Sequence, residues 1–198
     1  MSADGVDLAR TLGHLVNRSG LSATLQPGLS DLELPRIESE VGIRFPPDLA
    51  ALLRVALPVS SGTGKSGFPD WRSDSPVHLR ELVRRPFDDL VWAIEHGSGR
   101  VWPRVWGHRP QDSSEATVLA LSKLASVSRL IPVYGHRYLP ENPQEEGNPV
   151  FSVVGYDIVY YGSNLANYFD NEFGRSAKNE LRLGPTKHIE LWSDVADD

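Results

Sequence analysis

The chain reads as an α+β protein, a single domain with a mainly antiparallel sheet flanked by helices. Three observations carry this reading. Apolar residues at helical spacing dominate the first half, and short β-branched and aromatic runs separated by turn residues dominate 130–161. The two kinds of segment also interleave without the strict strand–helix–strand alternation of a parallel sheet. At 198 residues, 40% of them hydrophobic, the chain can bury a sizeable core without disulfides or metals. It has no Cys, which excludes a disulfide framework, a thiol nucleophile and a Cys-based zinc site.

Val6 to Val16 places Leu8, Leu12, Leu15 and Val16 on one side of an amphipathic first helix that ends near Gly20. Ser30-Asp31-Leu32-Glu33 is a capping-box pattern opening a second helix, whose buried stripe is Leu34, Ile37 and Val41. Pro35 lies one residue past the tolerated first turn and should delete one helical hydrogen bond. Pro46-Pro47-Asp48 opens a third helix with Leu49, Leu52, Leu53 and Ala56 as its apolar face, and Ser75-Pro76 opens a fourth with Leu79, Leu82 and Val83 inward. Val91 to Glu95 and Arg100 to Trp102, joined by His96-Gly97-Ser98-Gly99, read as a hairpin, and Pro103 limits further pairing to an edge. Asp112 and Glu115 give another capping signal, before a helix through Val118, Leu121, Leu124 and Ala125.

The segment 130–169 then reads as strand, loop, strand, hairpin turn, strand and capped helix. Ile131 to Tyr134, Val150 to Val154 and Asp157 to Tyr161 are predicted strands of one sheet, the last two an antiparallel hairpin about Gly155-Tyr156. Phe151 and Val153 should share a face, because strand side chains alternate. Ser163 stands at the N-cap position of a helix that packs Leu165, Tyr168 and Phe169 on the sheet. Ser60 to Gly67 and Glu141 to Asn148 are the loops expected to be mobile.

The words IPVYGHRYLP, GNPVFSV, DIVYYG and NLANYFDNEF, in this order, resemble the SUKH superfamily of bacterial toxin-immunity proteins and fungal cell-wall-assembly regulators. Gly28 to Leu53 resembles that superfamily's opening pair of helices, FPDWR and VWPRVWGHRP the middle blocks of an actinobacterial branch, and ELWSDV its last block. The resemblance covers about three quarters of the chain and implies a SUKH-like α+β domain over 27–198, preceded by an N-terminal helical extension over 1–26. It also implies a non-enzymatic binding protein, in the first instance one that neutralises a cognate toxin by stoichiometric occlusion. A regulatory or scaffolding module of the same fold is the alternative. A third reading, from another class, is a hydrolase or nucleotide-binding enzyme built on His136, Asp157 or the Lys65 loop.

Charge bears on the partner. The net charge of −6 and pI near 5.5 argue against nucleic acid and favour a basic protein. The polar, acidic MSADGVDLAR and the lack of an apolar run of membrane-spanning length lead us to expect a cytoplasmic protein without a membrane partner.

Ser61-Gly62-Thr63-Gly64-Lys65-Ser66 ends like a phosphate-binding loop, but Val59 occupies the place of the first Gly and Pro69 excludes the helix that should begin at the Lys. We read it as a flexible Gly/Ser loop with Lys65 exposed. His136 stands at a strand end, read as beside Asp157 of a neighbouring strand, with no nucleophile specified nearby. We favour a loop-fixing role, in which His136 and Arg137 hydrogen-bond a carboxylate or backbone carbonyl, over a chemical one. His14, His78, His96, His108 and His188 show no ligand spacing, so neither a metal nor another cofactor is expected. Of the tryptophans, Trp92 and Trp192 are assigned to the core, whereas Trp71 and Trp106 fit core and surface equally. The candidate partner-binding residues are Trp71, Trp106, Arg109, His136, Arg137, Tyr138, Glu141, Glu145 and Glu146, forming a concave, partly aromatic surface with an acidic rim.

Overall fold

A four-stranded antiparallel sheet, covered on both faces by helices, organises the chain. The computed structural model describes residues 3–19, 23–60, 67–97, 101–174 and 181–197. The sheet runs in the order β3 (Leu130–Tyr134), β4 (Arg137–Pro140), β5 (Val150–Val154), β6 (Asp157–Gly162). One face sends Ile131, Val133, Leu139 and Val150 into the largest core cluster, and the other sends Leu130, Tyr138, Phe151, Val153 and Ile158 into a second. Phe151 and Val153 therefore share a face, as alternation requires. Antiparallel pairing of β5 with β6 closes through Gly155-Tyr156, where Gly155 takes φ 63°. A positive φ at the first central residue is the two-residue turn that matches the twist of a hairpin, and glycine adopts it without steric cost.

Three of the helices on the first face are α1 (Ala3–Ser19), α3 (Pro47–Val55) and α6 (Leu165–Phe173). Leu12 of α1, Leu52 and Leu53 of α3, and Leu165 and Phe169 of α6 share one core, so 1–26 contributes to the same hydrophobic interior as 27–198. α2 (Glu33–Val41) adds Leu34, Ile37 and Val41. Its capping box is formed: Glu33 N–H donates to Ser30 Oγ at 3.2 Å, and Ser30 N–H donates to the Glu33 carboxylate at 2.8 Å. Arg72 donates to the same carboxylate at 2.7 Å, and with Ser30 it holds Glu33 down at about 2. The close approach of β6 to α6 depends on Gly162, where a Cβ would stand 2.5 Å from the Tyr168 Cβ.

On the second face, α4 (Pro76–His96) and α7 (Trp192–Ala196) bring Phe87 and Trp192 into a stack at 5.4 Å. Helix α5 (Ser113–Leu124) lies along α4, with Leu90, Ala93, Ile94, Ala116, Ala120 and Leu124 between them. A second sheet of two strands, β1 (Ala23–Pro27) and β2 (Ala56–Ser60), pairs antiparallel beside the main core. No helix among the described residues is long and apolar enough to cross a membrane.

Several local expectations are corrected. Val91 to Glu95 is the last third of α4, not a hairpin strand, and Trp92 is 64% exposed rather than in the core. The reason lies in packing: Leu79, Val83, Pro86, Leu90, Ala93 and Ile94 are buried at alternating four- and three-residue spacing, which carries the helix through Pro86 despite its missing N–H. In α5 the buried side is Ala116, Ala120 and Leu124, and Val118 and Leu121 face solvent, because small residues allow closer approach to α4. Ala56 begins β2 instead of ending a helix. Arg137 to Pro140, expected as loop, is β4, which places Asp157 two strands away from the β3–β4 turn that holds His136. Asn164, not Ser163, caps α6, its Oδ1 accepting from Asn167 N–H at 2.8 Å. The Lys65 loop, Gly20 and the 98–100 segment lie outside the described residues.

Candidate partner-binding surface

A cleft of about 810 Å³ lies between α4, α5 and the segments 126–129, 141–143 and 188–190. Its apolar lining comes from Phe87 and Val91 of α4, Leu121 and Leu124 of α5, and Val127 and Ile189 of the segments. Leu121 is 54% exposed, so an apolar side chain stands open to solvent at the cleft. Polar residues of the lining are Arg84, Asp88, Arg129, Glu141, His188 and Glu190. Most of these charges are already paired. Arg84 meets Asp88 at 3.2 Å, Arg129 meets Glu141 at 2.7 Å, and His188 meets Asp194 at 2.9 Å. An apolar floor with charged groups at its margin buries hydrophobic anchors of a partner while the rim selects its polar contacts.

Glu141 is the one residue of the expected partner-binding set that lines this cleft, and it is largely internal. Its Oε1 accepts from Arg44 N–H at 2.7 Å and from Arg129 Nη2 at 3.1 Å, and its Oε2 accepts from Arg129 Nε. The rest of the 141–148 loop, expected to be mobile, carries hydrogen bonds of the same kind. Gln144 donates to the Glu141 carbonyl at 2.6 Å, Asn148 to the Pro143 carbonyl at 2.7 Å, and Gly147 N–H to Asp48 at 3.3 Å. Lys187 Nζ bridges the Glu145 carboxylate at 2.9 Å and the Glu146 carbonyl at 2.7 Å. Asp48 is buried, and desolvation raises its carboxyl above the usual aspartate range, with the Glu146 charge adding to the effect.

The other expected residues fall elsewhere. His136 and Arg137 lie at the opposite end of β4 from Glu141. Arg137 is internal, donating to Glu172 at 3.0 Å and to Ser152 Oγ at 3.0 Å, with its guanidinium 3.7 Å from the Tyr161 ring centroid. His136 is exposed, and desolvation together with Arg137 holds its imidazole below the ordinary value, which favours the neutral form at physiological pH. Tyr138 is 2% exposed and belongs to the core under α7. Trp71 is buried edge-on against Phe45 at 4.8 Å. Trp106 is half-buried against Trp102 in the short 3₁₀ turn Arg104–Trp106, and Arg109 donates to the Ile94 carbonyl at 3.2 Å near the end of α4. The nine residues thus occupy several separate regions, not one surface.

Sequence reasoning missed Phe87, Val91 and Leu121 as cleft residues. The signal for the first two was present in the spacing Leu79, Val83, Pro86, Leu90, Ile94, which continues a helix where a strand was read. No family model matches the chain, and neither a curated protein nor a solved structure matches it.

Proposed function

We propose that this chain is a non-enzymatic protein-binding module and, in keeping with its resemblance to the SUKH superfamily, a cytoplasmic immunity protein that neutralises a cognate toxin by stoichiometric binding. The observation that carries the binding reading is the cleft of about 810 Å³, with its apolar floor and the half-exposed Leu121. Buried apolar anchors dominate the energy of such contacts, and surrounding polar groups mainly exclude water and set register. The net charge of −6 supports a basic partner, whose approach it accelerates at low ionic strength.

The test is co-expression with a toxin encoded by a neighbouring gene, followed by pull-down and surface plasmon resonance. A one-to-one complex is expected, and Leu121→Asp should weaken it about tenfold or more without unfolding the chain. Raising salt should slow association more than it speeds dissociation. Protection from the toxin without a physical complex would remove the occlusion mechanism.

A further inference from the structure

The outer face of α4 carries a charge pattern that the fold uses only in part: Arg84 pairs with Asp88, and Arg85 acts on Asp89 along the same helix. The buried stripe of the helix runs through Leu79, Val83, Pro86 and Leu90. Residues displaced by two positions lie about 200° around the helix, on the opposite side. There Val77 is 58% exposed and Trp92 is 64% exposed, with Glu81, Arg85 and Asp88 between them, also exposed. Basic Arg84 and Arg85 precede acidic Asp88 and Asp89. Within one chain, Arg84 pairs with Asp88 at 3.2 Å, both side chains more than half exposed. That pair is weak on two grounds: solvent screens it, and a base four residues before an acid is the poorer orientation along a helix.

The same order is self-complementary between two copies. In an antiparallel helix pair related by a two-fold axis, residues whose numbers have a constant sum face one another. An axis near Pro86–Phe87 sets Arg85 of each copy against Asp88 of the other, and His78 against Glu95. Trp92 then meets Glu81 of the other copy, between its Val77 and Arg84, where the indole gains both apolar contact and a cation over its face. No like charges meet in this register. We propose that α4 is the docking surface for a second copy of this chain, packed antiparallel across a two-fold axis with Trp92 as its apolar anchor. Such an interface is isologous, each contact occurring twice. The proposal does not rest on the partner-binding reading, since a dimer of this kind needs no toxin, although Arg84 and Asp88 also line the cleft.

Sedimentation velocity of the full chain up to about 200 µM tests it. A monomer–dimer equilibrium is expected, weakened about tenfold or more by Trp92→Ser and weakened by about 0.5 M salt. Arg85→Asp and Asp88→Arg should each be monomeric, because each sets like charges face to face. Mixed together, they should restore a dimer containing one copy of each, since the swapped charges again oppose. Thermal melts of the variants should overlay that of the unaltered chain, and because three exposed positions are probed, one misfolded variant leaves the others informative. A strictly monomeric parent at low salt, a dimer indifferent to all three substitutions, or failure of the mixture to pair would overturn the proposal.

Discussion

The 141–148 loop and the outer face of α4 both border the cleft and are both rich in charge, yet they are built on opposite terms. In the loop, the fold supplies partners for Glu141, Glu145 and the Gly147 backbone, namely Arg44 and Arg129, Lys187, and Asp48, and of its buried side-chain atoms Asn148 Oδ1 has no partner among the described residues. On α4, among the described residues, Arg84 and Asp88 pair with each other in solvent and Trp92 is stacked on His96 at 4.8 Å. Charge density along the sequence does not distinguish the two regions. What separates them is whether another element approaches closely enough to desolvate the charge and then bond it.

The largest effect should come from Arg137, whose ion pair with Glu172 is more enclosed than that of Arg129 with Glu141. Arg137→Ala leaves Glu172 without its cation and Ser152 without its donor, and should cost about 3 kcal/mol in urea unfolding. A cost below about 1 kcal/mol would mean that the internal network contributes little and that the contrast with α4 is false. Glu141→Ala should cost about 2 kcal/mol, since Arg44 N–H loses its acceptor and Arg129 its counter-ion. Glu141→Gln should recover roughly half of that loss, because an amide oxygen still accepts from Arg44.

Asp48 gives a change in the other direction. Burial raises its carboxyl above the usual 3.8, so the native state binds this proton more tightly than the unfolded chain does. Its contribution to stability is therefore greatest below that value and is lost as pH rises through the raised native pKa. Asp48→Asn, which keeps an acceptor for Gly147 N–H without the buried charge, should be more stable than the parent at neutral pH. The gain should shrink on acidification to below 3.8. Melting curves across pH that run parallel for the two proteins would show that the buried Asp48 charge does not limit stability. The smallest effect belongs to α4: Trp92→Ser should change the stability of the monomer by no more than about 0.5 kcal/mol, as Trp92 is 64% exposed and belongs to none of the core clusters formed by the described residues.

Much of the architecture was legible without coordinates where local chemistry and burial agree. The Ser30–Glu33 capping box, the Asp112 cap, the Gly155 turn and the alternation of Phe151 and Val153 each express their cause within a few residues. The partner set was less legible, because Trp71, Arg137 and Tyr138 are residue types equally suited to an interface and to an interior. Leu191 adopts φ 65°, a strained backbone at a non-glycine position that no local preference anticipates. It is held there by its N–H bond to Asp194 and by Ser193, which accepts from Ile189.

By itself, the sequence determined the α+β class, the β5–β6 hairpin, the caps of α2 and α5, and the absence of any cysteine chemistry. Only the tertiary structure decided that 91–96 is helix, that β4 lies between β3 and β5, and that α5 buries its alanines instead of its valine and leucine. It also decided which acids are bonded inside and which remain on the surface. The physical reason is common to all of these. Caps and tight turns are satisfied by atoms a few residues apart, whereas Val91–Glu95, Ala116 and Glu141 take their state from surfaces as much as 97 residues away, whose approach sets which face is dry and which charge has a partner.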